Sequence, residues 1–241
     1  MPKKYRIIII AGLILAIAAG GYWYFNKNTG GNGKEKTAFS TGFTMLDDEK
    51  SLIWSETAQL QAEARAQFEK MVAAIKADLA VAVEKEQRLA DFNNLAQYQT
   101  YLGNYREAYD AYLESLKIES RARVAWQNLA DVLLKMKAFK SAEMAYKKAV
   151  ELNKYIPESY VKLADYYKAM GDDKNVEAAY KLGILTIKES TESDALILDA
   201  YAEWLAGEKR YEEAVKIYQD LMAKQPANKA AIKRRIEALK K

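Results

Sequence analysis

Few side-chain types in this chain could carry out covalent or acid–base chemistry. Its 241 residues include no cysteine and no histidine. That removes thiolate nucleophiles, disulfides and cysteine metal sites, together with the commonest general base and metal ligand. Adjacent carboxylates remain as candidates for proton transfer, at Asp172-Asp173 and Glu212-Glu213. Both pairs fall on helix surfaces or turns, whereas a working acid–base pair needs a pocket. There is no glycine-rich phosphate loop and no cluster at metal-ligand spacing. No enzyme activity, cofactor or metal is expected. Seventeen tyrosines invite an aromatic-binding role, but most recur at fixed intervals, which reads as packing.

Those intervals organise the chain. Leu95-Ala96, Leu129-Ala130 and Leu163-Ala164 stand 34 residues apart. Ala108, Ala142 and Val176 repeat the step, as do Tyr112, Tyr146 and Tyr180. Tyr201-Ala202, Ala214 and Tyr218 keep the internal spacing after a four-residue insertion. A constant period of this length predicts stacked helix pairs, in which each pair buries its apolar face against the next. That points to a binding scaffold.

Composition agrees. Half the residues are hydrophobic and 29% charged, with only three prolines, a globular and helix-compatible mixture. The net charge of +4 is unevenly placed. Residues 1–36 hold six basic residues against Glu35, giving +5, so the remainder sums to −1. A near-neutral body argues against a nucleic-acid partner.

Residues 7–25, IIIIAGLILAIAAGGYWYF, carry no charge and follow Lys3, Lys4 and Arg6. As a helix they would reach about 28 Å, close to the thickness of a hydrocarbon core. Tyr22, Trp23 and Tyr24 fall where an interfacial aromatic belt belongs. A retained single-pass membrane anchor over 1–25 is favoured, because apolar character continues to Phe25. Cleavage as a signal peptide near Ala16-Ile17-Ala18 is the alternative. Either one exports the body, so the expected location is the cell membrane with the C-terminal part on the extracytoplasmic side. Residues 26–47, with Gly30, Gly31 and Gly33 among Asn, Thr and Lys, read as a flexible linker.

From about Asp48 to Arg88 there is neither glycine nor proline. Leu60, Ala64, Phe68, Met71, Ile75, Leu79 and Val83 recur at steps of three or four, which predicts one long amphipathic helix or a bent pair within 48–90. Asp47 or Asp48 could cap it, and Trp54 is expected to pack locally. The apolar stripe would shield the first repeat. A self-associating coiled coil, and with it a homo-oligomer, is the alternative.

Within 91–226 the motifs are more specific. Phe92, Leu95 and Ala96 are followed by the turn Leu102-Gly103-Asn104-Tyr105, then by Ala108, Tyr112, Ser115 and Leu116. Trp126, Leu129, Ala130, Phe139, Ala142, Tyr146 and Ala149 repeat the pattern. So do Tyr160, Leu163, Ala164, Gly171, Tyr180 and Gly183, and then Leu198, Tyr201, Ala202, Tyr211, Ala214, Tyr218 and Pro226. The series resembles the tetratricopeptide repeat, over just over half the chain. Lys137 and Lys209 depart from it where the turn prefers Gly, Asp173 where it prefers Tyr, and Leu221 where helix B prefers a small residue. The resemblance implies an all-α fold: a solenoid of four helical hairpins, preceded by a single transmembrane helix and the long amphipathic helix. Residues 227–241 read as a capping helix with Ile232, Ile236 and Leu239 on one side. Its tail, Lys229, Lys233, Arg234, Arg235, Lys240 and Lys241, is read as a solvated cap that favours the helix C-terminus, with an acidic partner or lipid as the alternative.

The resemblance further implies a concave groove that binds a protein or peptide, lined from the first helix of each hairpin. On this sequence the lining residues are Asn93, Asn94, Gln97 and Tyr101, then Gln127, Asn128, Asp131, Leu134 and Lys135. Glu158, Val161, Lys162, Asp165 and Lys168 follow, and finally Asp199 and Glu203. Chaperone-binding members grip a C-terminal carboxylate with lysines and asparagines. Asn128 and Lys162 match that set, but Asn93, Gln97 and Glu158 do not, and Glu158 would repel a carboxylate. The expected function is a membrane-anchored adaptor in an envelope, secretion or surface-appendage assembly. A self-assembling structural subunit is the alternative.

Overall fold

A computed structural model describes Phe43, Met45 and residues 52–240. The expected membrane anchor at 7–25 and most of the expected linker lie outside the described residues. Among the described residues no helix is long and apolar enough to cross a membrane.

The described chain is a succession of ten α-helices without strands: α1 (Ala62–Val81), α2 (Lys85–Leu102), α3 (Tyr105–Ile118), α4 (Arg123–Lys135), α5 (Phe139–Leu152), α6 (Pro157–Ala169), α7 (Asp173–Ile187), α8 (Ala195–Gly207), α9 (Tyr211–Lys224) and, after a 3₁₀ turn at Pro226–Asn228, α10 (Lys229–Ala238). Helices α2–α3, α4–α5, α6–α7 and α8–α9 pair as hairpins and stack in sequence order. Small residues make the close crossings: Ala96, Ala130, Ala164 and Ala202 on the first helices, and Ala108, Ala142, Val176 and Ala214 on the second, are all fully buried. The recurring Tyr112, Tyr146, Tyr180 and Tyr218 fill the space beside them and are buried too. Tight crossings need small side chains at the contact, with bulky ones alongside to exclude voids.

Every hairpin reverses through one left-handed residue: Gly103 (φ 81°), Lys137 (φ 63°), Gly171 (φ 68°) and Lys209 (φ 59°). This is the conformation that favours glycine after a helix C-terminus, and two of the four positions carry lysine instead. Pro157 occupies the first turn of α6, where its missing N–H costs nothing. Asp172 caps α7 by accepting from the Asn175 N–H at 3.1 Å, as an N-cap carboxylate should. The four-residue insertion forms the turn before α8. There the Ser193 hydroxyl oxygen accepts from Ala195 N at 3.3 Å. Ser190 Oγ donates to the Ile187 carbonyl at 2.8 Å.

The region before the repeats departs from expectation. Instead of one long helix from 48, residues 52–61 form no regular element, and α1 starts only at Ala62 behind Gln61. Tertiary hydrogen bonds outweigh local helix propensity here. Ile53 N donates to the Met136 carbonyl at 3.0 Å, Glu56 N to the Gly103 carbonyl at 2.8 Å, and Arg106 N to the Trp54 carbonyl at 2.9 Å. Trp54 packs on the first hairpin rather than locally, under the Arg106 guanidinium 4.7 Å away. The Tyr105 hydroxyl donates to Glu56 at 2.9 Å. Burial and that carboxylate push its pKa up to about 12. This segment lies across the hairpin turns like a strap.

A second departure is the break at 82–84, with no glycine or proline to announce it. Arg88 supplies what the break needs: its guanidinium donates to the Leu79 and Ala82 carbonyls at 3.4 and 3.3 Å, satisfying C-terminal groups of α1 that have no helical partner. The chain then folds back, and α2 begins at Lys85, six residues before the expected start of the repeats. The apolar stripe of α1 turns onto α2. Val72 is buried, Phe68, Ile75 and Leu79 pack against the core, and the Phe68 ring lies 5.7 Å from Tyr98 and 5.4 Å from Tyr101. Part of the stripe therefore serves the array in cis, while Met71 and Val83 stay exposed.

At the other end α10 lays Ile232 and Ile236 on α8 and α9, closing a smaller cluster with Leu198, Tyr218 and Leu221. A solenoid needs such an end cover to keep its last apolar face from water.

Candidate functional site

The first helices of the hairpins, α2, α4, α6 and α8, carry the residues expected to line the groove, and the structure sorts them by chemistry along the array. In the first hairpin, Asn93 faces inward. It donates to the Leu89 carbonyl at 2.8 Å and accepts from Ser115 Oγ of α3 at 3.0 Å, so it braces the hairpin rather than offering an amide to a ligand. Asn94 and Gln97 are half-buried. Tyr101 is exposed and rests on Phe68 and Tyr98.

In the second hairpin Gln127 accepts from Arg123 at 2.8 Å, and Arg123 also reaches Ser159 of the next hairpin at 3.3 Å. Asn128 hydrogen-bonds the Tyr112 hydroxyl. Asp131 joins three helices: it accepts from the Tyr146 hydroxyl of α5 and from Lys162 of α6, the latter at 2.9 Å. Leu134 is half-buried and Lys135 exposed.

Further along, Val161 packs half-buried against the core, Glu158 is exposed, and Asp165 pairs with Lys168. Burial would lower the Lys168 pKa, but Asp165 and the Tyr180 hydroxyl together more than offset it and leave it raised. In the last hairpin Asp199 and Glu203 both take Arg235, which reaches back from α10, with Glu203 at 3.3 Å. The line thus passes from amides and an exposed tyrosine in α2, through a bridging ion pair between α4 and α6, to neutralised pairs in α6 and α8.

The tyrosine hydroxyls were not expected to belong here. The rings of Tyr112 and Tyr146 are core, and their oxygens meet polar groups of the first helix of the second hairpin, Asn128 and Asp131. Burial, followed by the charge of Asp131, pushes both above the ordinary tyrosine range, so both stay protonated, and Tyr146 donates to Asp131. The sequence does hold a sign of this: Tyr146 and Asp131 are 15 residues apart, on facing helices of one hairpin. Arg235 was missed differently, as part of a tail read as a solvated cap, with an acidic partner or lipid as the alternative.

Polar groups spaced along a curved run of helices can hydrogen-bond an extended backbone or a helix, with half-buried apolar side chains such as Val161 and Leu134 giving it purchase. Among the described residues no group of three acids could hold a metal.

This is a solenoid of helical hairpins. Residues 124–155, the α4–α5 hairpin, match the model of the tetratricopeptide repeat, and the all-α array is that repeat's fold. The described chain is similar to the crystal structure of MamA, with a TM-score of 0.51 and 20% identity over 70% of this chain and 94% of that one. A second MamA crystal structure gives 0.51 and 18%, covering 70% and 88%. TTC0263, a thermophilic tetratricopeptide protein of Thermus thermophilus, gives 0.48 and 16%, covering 73% and 92%. No curated protein matches. At these identities the likeness concerns the fold.

Proposed function

We propose that this chain is a non-catalytic adaptor: the groove along α2, α4, α6 and α8 holds a segment of another protein, and residues 7–25 fix the array to a membrane, with the array on the extracytoplasmic side. The fold supports the first part, since tetratricopeptide arrays generally mediate protein–protein interaction. The observation that carries it is the cluster at Asp131. There three helices from two hairpins bring a carboxylate, a tyrosine hydroxyl and a lysine together at the middle of the groove. Asp131 is about one-third exposed and Lys162 is 40% exposed, so an incoming peptide can exchange hydrogen bonds with a pair already oriented. The uncharged stretch before it, Asn94, Gln97 and Tyr101, suits a backbone or an apolar side chain. For the membrane attachment, the support is the uncharged stretch at 7–25 with basic residues before it and aromatic ones at its far end. A place in an envelope, secretion or surface-appendage assembly follows as the setting of such an adaptor.

Crosslinking and recovery of partners from membranes tests this, comparing the native chain with Lys162→Glu. The substitution should reduce recovery of a specific partner by about ten-fold while circular dichroism stays unchanged. Equal recovery at equal helicity would remove the groove from the account.

A further inference from the structure

The last helix breaks with the array in charge. Residues 229–241 hold Lys229, Lys233, Arg234, Arg235, Lys240 and Lys241 against Glu237 alone, giving +5. Residues 37–224 hold 25 basic and 31 acidic residues, giving −6. On α10, Ile232 and Ile236 turn inward, and Lys229, Lys233, Arg234 and Lys240 stay exposed.

The acids of the helices beneath leave this face positive. Asp199 and Glu203 of α8 are both taken by Arg235. On α9, Glu213 takes Arg210 and Asp220 lines the recess on the α7 side. Glu208 and Glu212, at the last turn, pair with no cation of α10 among the described residues. On α10 itself only Glu237 competes, 3.9 Å from Lys233. Lys229, Arg234 and Lys240 pair with no carboxylate among the described residues.

Folding does not call for this arrangement. Cations stabilise a helix near its C-terminus, which accounts for Lys240. Lys229 instead opens α10, whose first turn holds no acid, and a cation there opposes the helix dipole. Lys229 and Lys233 are like charges four residues apart, which also costs helix stability. Charges kept at such a cost and turned to solvent suit a ligand outside the chain. Stable protein interfaces bury an apolar or aromatic centre and are poor in lysine. Among the described residues after Tyr211 no large hydrophobic side chain is exposed, so a protein would find charge here and nothing to bury. A layer of anionic headgroups needs only cations on a convex face. The negative remainder of the array is repelled by such a layer, which orients the contact onto this end.

We propose that the exposed face of α10 binds an anionic phospholipid surface, with Lys229, Lys233, Arg234 and Lys240 against the headgroup phosphates. This contact is additional to the concave groove and does not require residues 7–25.

The chain has no cysteine, so Ala230→Cys, an exposed site beside these cations, can carry a single fluorophore. The full-length labelled chain is mixed with vesicles that carry a headgroup quencher. Vesicles of phosphatidylcholine with about 30% phosphatidylglycerol should quench the label at low salt, neutral ones should not, and about 0.5 M salt should restore it. Lys229→Gln, Lys233→Gln and Arg234→Gln together should lower the ratio of quenched to free label by about a hundred-fold. The same loss of three charges on α3, α5 and α7, by Lys117→Gln, Lys147→Gln and Lys174→Gln, should change it by less than about two-fold. All six positions are exposed, and unchanged helicity verifies folding. A label that phosphatidylglycerol does not quench overturns the proposal, as do equal effects of the two triple variants. Soluble polyglutamate that releases the label as fully as excess quencher-free phosphatidylglycerol vesicles assigns the surface to an acidic protein and overturns it too. Flotation with pure phosphatidylcholine vesicles in about 0.5 M salt reads residues 7–25 separately, because α10 is silent there. A chain that fails to float but answers to phosphatidylglycerol loses its anchor and keeps this contact.

Discussion

The first two hairpins and the last two share one repeat but are held together by different forces. In the first half, connections between elements are backbone hydrogen bonds and rings: the strap on Met136 and Gly103, Trp54 under Arg106, and Phe68 against Tyr98 and Tyr101. Ion pairs such as Arg106–Asp110 and Lys117–Glu114 stay within one helix. In the last half, charges join the elements beside the rings of Tyr180, Tyr201 and Trp204. Glu177 of α7 takes Arg210 at 2.7 Å, Asp194 takes Lys224, and Asp199 and Glu203 take Arg235. Backbone bonds between turns work only when an extra segment lies there to make them. Without one, long side chains must span the distance, and stability becomes sensitive to charge.

The sharpest test of that difference is the pair of turn glycines. Gly103→Ala places a Cβ 2.0 Å from the Glu56 carbonyl, so the strap has to lift away. With it go the Glu56, Ile53 and Arg106 backbone bonds, and the left-handed strain is added. Urea unfolding should show a loss of about 3 kcal/mol or more. Gly171→Ala has the same left-handed backbone and open space around it, so only about 1 kcal/mol should be lost. Equal losses would mean that the strap contributes nothing.

In the last half the corresponding test is Lys224→Met. Asp194 is 5% exposed and Lys224 is its ion-pair partner. Removing the lysine strands a buried carboxylate, with an expected loss of about 2–3 kcal/mol. Removing a partner from the exposed Arg106–Asp110 pair should change stability by less than about 0.5 kcal/mol. High salt should narrow the stability gap between Lys224→Met and the native chain.

Acid should act on the same half. Hydrogen bonds from Arg210, then Lys181 and Tyr201, hold Glu177 down to about 2. A depressed carboxylate contributes its full stability above the unfolded range near pH 4. That contribution is lost as pH falls toward 2. The expected contribution is about 2 kcal/mol after allowance for partial exposure. Unfolding measured from pH 5 to pH 2 should therefore be steeper for the native chain than for Glu177→Gln, and parallel curves would dismiss the cluster.

The two halves were not equally legible in the sequence. Positions that repeat for packing could be read directly, because a fixed step forces Ala96, Ala130, Ala164 and Ala202 into equivalent crossings, all fully buried. The strap could not. Residues 52–61 have good helix formers around them, and what keeps them out of a helix is a set of carbonyls 47 to 83 residues away, which no local pattern reports. The break at 82–84 depended on Arg88, an ordinary surface residue by type. The groove was partly legible: Asp131 and Lys162 meet, but Asn93 turns inward and Arg235 arrives from a helix read as a plain cover. Side chains that answer to another element are set by geometry the sequence does not display.

The mildest expected change concerns the two turns that lack glycine. Lys137 and Lys209 hold φ at 63° and 59°, a conformation that costs a side-chain-bearing residue about 1 kcal/mol. Their side chains are exposed, so little packing is lost on removal. Glycine loses more backbone freedom on folding, which offsets part of the relief. Lys137→Gly and Lys209→Gly should therefore each stabilise the chain by about 0.5 kcal/mol. The strap separates the two. The neighbouring Met136 carbonyl accepts from Ile53, so the turn at Lys137 is already clamped, whereas the turn at Lys209 has no such clamp among the described residues. If the strap fixes its turn independently of residue type, Lys137→Gly should also leave hydrogen exchange at Ile53 unchanged. Faster exchange there would show that the lysine, strained as it is, helps to seat the strap.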